Sequence, residues 1–119
     1  MKILGGDIGG TNTRLALFEL EGKRFRILVE RTYPSRNYET LHEIVESFVD
    51  SQQIICDRAC FGIAGPVRGD RVETTNLPWV VEAPELTAHL GLDRVRLIND
   101  LEANAYGIAT LEAKDFQTL

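Results

Sequence analysis

Cysteine is scarce. Cys56 and Cys60 are the only two, four positions apart, with no histidine partner at zinc spacing. That sets aside a disulfide scaffold and a structural zinc site, and points to buried free thiols in a reducing compartment. Basic residues are also short: 13 Lys and Arg against 18 Asp and Glu give a net charge of −5, which argues against a nucleic-acid surface. No apolar run approaches membrane-spanning length, and the N-terminus enters a strand directly, without a signal-peptide pattern. A cytoplasmic protein with no membrane partner is the expectation. Repeats and low-complexity linkers are absent too, so the 119 residues read as one domain with an ordinary core, 44% hydrophobic and 26% charged.

What is present is an alternation of strand and helix signals. Apolar runs predict strands over Lys2 to Ile8, Arg14 to Leu20 and Arg24 to about Tyr33, the last two joined by a turn at Glu21-Gly22-Lys23. They form an antiparallel meander, with Phe25, Ile27 and Val29 expected on one face of the third strand. Leu41, Ile44, Val45, Phe48 and Val49 repeat at helical spacing, with Asn37 or Thr40 as the cap and Thr40 with Glu43 fitting a capping box. His42 lies off that stripe and reads as a solvated helix residue. Ala59 to Ala64 is almost wholly apolar, as a strand covered on both faces would be. Gly65-Pro66 ends it, and Val67 to Thr74 looks like a hairpin turning at Arg68-Gly69-Asp70. An irregular stretch, Thr75 to Trp79, precedes a helix from about Pro84 to Leu90, which Gly91 ends. A strand at Val95, Leu97 and Ile98 and a helix from Leu101 to Leu111 complete the chain. The fold class is therefore α/β, a mixed sheet in the order β-β-β-α-β-α-β-α with a parallel crossover.

Chemistry concentrates in three places. The octet Asp7-Ile8-Gly9-Gly10-Thr11-Asn12-Thr13-Arg14 is a tight turn between two strands. Its glycines permit positive φ and close approach of a ligand to the main chain, and successive N–H groups there make an anion-binding concavity. Thr11 and Asn12 add donors, and Asp7 stands where a divalent cation on a phosphate is held, usually through water. Arg14 fits either a phosphate contact or a structural ion pair. The second and third places are the Gly65-Pro66 turn and Asn99-Asp100. Ligands of open α/β sheets collect beyond the carboxyl ends of the parallel strands, where these segments emerge. Asp100 fits a general base there, and from its local sequence more readily an N-cap of the last helix. Asn99 fits a sugar hydroxyl or a turn.

The octet resembles the first phosphate loop of the sugar-kinase, Hsp70 and actin ATPase superfamily, and its variant Asp-x-Gly-Gly-Thr-Asn-x-Arg looks most like that of bacterial glucokinases. Leu97-Ile98-Asn99-Asp100-Leu101-Glu102-Ala103 is similar to that family's motif in which an Asn-Asp pair binds glucose. Phe61 to Val67 and Thr75-Asn76-x-x-Trp79 resemble segments near the sugar. The resemblance implies a ribonuclease H-like or actin-like ATPase lobe and phosphoryl transfer from ATP, with Mg²⁺, to the 6-hydroxyl of glucose. Carried over residue by residue, it makes Asp100 the base and gives phosphate to Asp7, Gly9, Gly10, Thr11, Asn12 and Arg14, with Asp7 on the Mg²⁺ side. Asn99, Asp100, Gly65, Pro66 and Asn76 fall to the sugar.

Family members have two lobes. Residues 1–119 would then be the N-terminal small lobe, inactive alone, with the C-terminal lobe as its missing partner and a homodimer left open. Two other classes fit the loop: a sugar sensor related to these kinases, although no helix-turn-helix precedes Asp7, and an actin- or Hsp70-like ATPase.

Overall fold

The computed structural model describes residues 1–22, 24–63, 65–74, 77–92 and 95–99. Strands β1 (Lys2–Ile8), β2 (Asn12–Glu21) and β3 (Arg24–Pro34) form the meander, each antiparallel to the next. Helix α1 (Leu41–Gln52) carries the chain over the sheet, and β4 (Arg58–Ile63) returns parallel to β1. Three short strands follow: β5 (Val67–Arg68), β6 (Arg71–Glu73) and β7 (Val80–Glu82). After them come α2 (Ala83–Leu90) and β8 (Val95–Asn99), which lies parallel to β4. The main sheet runs β3-β2-β1-β4-β8, and β5-β6-β7 make a separate antiparallel sheet. This is a mixed α/β sheet with a parallel crossover, the class that the element order predicts.

Helix α1 forms where the apolar spacing places it. Leu41, Ile44, Val45 and Phe48 are buried, and Thr40 Oγ1 accepts a hydrogen bond from the Glu43 backbone N–H at 3.3 Å, relieving one orphan donor of the first turn. The helix ends at Gln53, a non-glycine residue in the left-handed region (φ 51°). Its buried face joins Leu4, Ile8, Leu15, Ala59, Phe61, Ile63, Trp79 and Leu86 in one cluster. Each such Leu, Ile or Phe contributes about 1.5–3 kcal/mol on burial. The other face of the sheet is closed as well, with Ile3, Ala16, Phe18 and Cys60 fully buried. No helix among the described residues is long and apolar enough to cross a membrane.

Three expectations change. Strand β2 begins at Asn12 rather than Arg14, so the turn after β1 is shorter than the octet. A bulge on β3 separates Val29, opposite Leu17, from Ile27, opposite Phe18. Leu28 is the extra residue, and it moves Ile27 and Val29 to opposite faces instead of the single face that strict alternation implies. The hairpin after β4 gains a third strand, β7, which pairs with β6 across the Thr74–Trp79 stretch. The expected helix from Leu101 to Leu111 lies outside the described residues.

Candidate functional site

The register of the parallel strands lays out the site. Ile8 pairs with Ile63, and Ile63 with Asn99, so β1, β4 and β8 finish in one row. The Gly9 turn leaves the first of these ends, the Gly65-Pro66 turn the second, and β8 ends on Asn99 itself. Asn76 and Asp100 lie outside the described residues, as does the Asn99 side chain.

Asp7 is the penultimate residue of β1, half-buried, directly opposite Arg14 on β2 and Gly62 on β4. Alternation along β1 sends Leu4 and Ile8 into the α1 core and puts Asp7 on the other face, level with Arg14. Arg14 Nε lies 3.4 Å from Glu30 Oε1 on β3, with both side chains nearly half exposed. Such a pair contributes about 0–1 kcal/mol. Of the two roles open to Arg14, the ion pair is the one formed here.

The turn itself is short and tied down. Gly9 N–H donates to the Asn12 carbonyl at 3.0 Å. Positive φ occurs at Gly22, Gly65, Gly69 and Gly91 among the described glycines, so Gly9 and Gly10 are not there for left-handed backbone. At Gly9 the need is space, since a Cβ would stand 2.9 Å from the Asn12 carbonyl oxygen. Thr11 and Asn12 are exposed and Gly9 and Gly10 half-buried, leaving the outer side of the turn open to a ligand.

Sequence reasoning missed the residue that anchors this turn. Ser35 lies in a single 3₁₀ turn (Ser35–Asn37) after β3 and is fully buried, as is Thr13. Its hydroxyl donates to the Gly9 carbonyl at 2.7 Å, so Thr13 Oγ1, 2.8 Å away, is the donor in that contact. Ser35 N–H also donates to the Thr11 carbonyl at 3.0 Å. Only a hydroxyl following a strand signals this in the sequence, and that is too common to single out.

On the other side, Gly65 is required by close approach: a Cβ there would sit 2.2 Å from the Glu73 carbonyl oxygen on β6. Trp79, in the stretch assigned to the neighbourhood of a sugar, is 2% exposed and belongs to the core. Its Nε1–H donates to the Tyr38 carbonyl at 3.2 Å, and its own carbonyl accepts from Thr74 Oγ1 at 3.0 Å. His42 is half-buried and packs edge to face on His89 with ring centroids 4.6 Å apart, so it is less solvated than its helix position implies. An open cavity of about 400 Å³ beside Glu19, Glu21, Arg24 and Arg26 lies at the hairpin end of β2 and β3, remote from the row of strand ends.

A family model described as Glucokinase matches residues 4–119. The glucokinase of Psychromonas ingrahamii is 39% identical over 112 residues, covering 94% of this chain and 34% of that protein. A glucokinase structure from an Antarctic psychrotroph superposes with a TM-score of 0.75 at 32% identity, over 83% of this chain and 32% of that one. The ROK hexokinase of Thermus thermophilus shares the fold, with a TM-score of 0.59 at 24% identity over 83% of this chain and 35% of that one. The chain spans about a third of the length of the curated relatives it matches.

Proposed function

Because this chain belongs to the glucokinase family, we propose that it is the N-terminal small lobe of a cytoplasmic enzyme that phosphorylates glucose at the 6-hydroxyl with ATP. The observation that carries the reading is the row formed by the ends of β1, β4 and β8, which gathers the Gly9 turn, the Gly65-Pro66 turn and Asn99 at one end of the sheet. In-line phosphoryl transfer needs these groups to converge, because its catalysis is mostly positioning and charge neutralisation.

In this reading the main-chain N–H groups of Gly10 to Asn12 hold phosphate oxygens, with the Gly9 N–H engaged by the Asn12 carbonyl, the Thr11 side chain at their edge and Arg14 close by. Asn99, Asn76 and the Gly65-Pro66 turn border the sugar. Mg²⁺ typically takes one or two carboxylates, several waters and substrate phosphates. Asp7, a half-buried carboxylate one residue before the open turn, fits that donor set. When bound, the ion neutralises charge on the phosphates. Asp100 accepts the proton of the sugar hydroxyl as its oxygen attacks. The C-terminal lobe supplies the rest of the nucleotide pocket and excludes water.

Asp100→Asn in the complete enzyme tests the assignment. It is expected to retain glucose affinity while kcat falls by about 10²–10⁴-fold, the usual worth of a general base. Near-normal turnover would remove Asp100 from that role.

A further inference from the structure

Ser35 makes more contacts to the Gly9–Asn12 turn than its place in a connecting loop would suggest. Its hydroxyl meets the Gly9 carbonyl and the Thr13 hydroxyl, and its N–H meets the Thr11 carbonyl. In a trans peptide the N–H points opposite to the preceding C=O. Drawing the Gly9 and Thr11 carbonyls toward Ser35 therefore turns the N–H groups of Gly10 and Asn12 away from it. Those are amides of the set proposed to receive phosphate.

The contacts continue beyond Ser35. Its carbonyl accepts from Tyr38 N–H at 3.2 Å, and the Tyr38 carbonyl accepts from Trp79 Nε1–H at 3.2 Å. The Trp79 carbonyl in turn accepts from Thr74, from N–H at 3.1 Å and from Oγ1 at 3.0 Å. The tyrosine ring is held in place too. Tyr38 packs edge to face on Tyr33, and Tyr33 on Phe48 of α1. Trp79 and Ser35 are both buried, so water competes little for these bonds.

We infer that Ser35 is a positioning residue for the Gly9–Asn12 turn, and that the run Ser35–Tyr38–Trp79–Thr74 couples the turn to Trp79 and to Thr74 just past the end of β6. The run is built from hydrogen-bonded parts, buried at Ser35 and Trp79 and half-buried at Tyr38 and Thr74, and only a measured coupling establishes it. Its meaning for catalysis rests on the phosphate reading above; its existence does not.

Amide hydrogen exchange in this chain tests both statements without ligand, using Ser35→Ala, Thr13→Val, Trp79→Phe and the Ser35→Ala/Trp79→Phe pair. The reporters are the Gly9 and Ser35 amides, which donate to the Asn12 and Thr11 carbonyls, with the Gly9 amide alone used in the Ser35 variants. Ser35→Ala is expected to speed Gly9 exchange about fivefold, the effect of one net hydrogen bond. Thr13→Val, a milder change to the same hydroxyl pair, should act in the same direction and decides the point if Ser35→Ala fails to fold. Unchanged Gly9 exchange would overturn the positioning role. Trp79→Phe keeps a ring in the core while deleting the donor to Tyr38 and part of the indole's volume. Faster exchange at Gly9 and Ser35, with no further increase in the double variant over Ser35→Ala, is the expected coupling. A change confined to residues 74–82 would overturn it. A parallel titration of the complete enzyme with Mg·ADP keeps the two readings apart: no amide shift at Gly9–Asn12 would count against phosphate binding while the exchange data still decide the clamp.

Discussion

Replacing Gly65 by alanine tests the contact that seats the small β5-β6-β7 sheet against the end of β4, on top of the strain of a side chain at φ +156°. The added Cβ would lie 2.2 Å from the Glu73 carbonyl oxygen and 3.1 Å from the carbonyl carbon, whereas ordinary contact begins at 3.4 Å. The shortfall, 3.4 − 2.2 = 1.2 Å, is against backbone, so no side chain can swing aside. Either the Gly65 turn or β6 must shift by about that much, and β6 is held by pairing to both β5 and β7. Overpacking of this kind costs about 3 kcal/mol, the upper part of the usual range. For a chain of this size that is roughly 10–15 °C in Tm. Gly22→Ala is the control, since φ is +61° there and nothing lies within 4 Å of the new Cβ. It should cost only the left-handed backbone term, about 1 kcal/mol. Thermal unfolding followed by circular dichroism compares the two. If they melt within about 3 °C of each other, the Gly65 approach is not the constraint and the reasoning fails.

Two further perturbations follow from particular residues. Gln53→Gly should raise stability by about 0.5–1 kcal/mol, because glycine takes the left-handed C-cap of α1 without strain; a urea midpoint shifted upward at constant m-value checks it. Burial, and secondarily the adjacent Asp57 charge, push the Cys56 thiol from 9.0 up to about 11. The folded chain then holds a proton that the unfolded chain releases above pH 9, so this contribution is intact below pH 9 and lost as pH rises toward 11. Cys56→Ala should flatten the fall in urea midpoint across that window, and an unchanged slope would show that the thiol does not contribute to it.

Helix α1 was legible because Leu41, Ile44, Val45 and Phe48 recur at its period and Thr40 supplies the cap, both of which are local facts. Strand β4 was legible because Ala59 to Ile63 is apolar on both faces. The bulge at Leu28 was not, since it is set by which cross-strand neighbour, Leu17 or Phe18, each residue of β3 meets. Strand β7 is three residues long after a proline, and only its pairing with β6 makes it a strand. The Gly9 turn was found for its composition, but its glycine answers to close approach and not to φ. Ser35 escaped notice because its partner in the turn is 26 residues away. Trp79 is a case the local sequence leaves open: the irregular stretch around it gives no periodicity, and only the fold shows that its side chain belongs to the core.

The short reach of the Ser35 contacts also bears on the order in which the chain matures as it is synthesised. The hydroxyl bonds that hold the Gly9 turn span 22 and 26 residues, within the meander and the 3₁₀ turn that follows it. Closing loops of that length is entropically mild, and local contacts of this kind form early. The Gly9 turn and its Ser35 contacts can therefore assemble once the first 38 residues have emerged, before α1 exists. The rest of the row waits for β4 and for β8, whose pairing completes it. Residues proposed to hold the nucleotide are thus the earliest-folding part of the site, and those proposed to choose the sugar the latest.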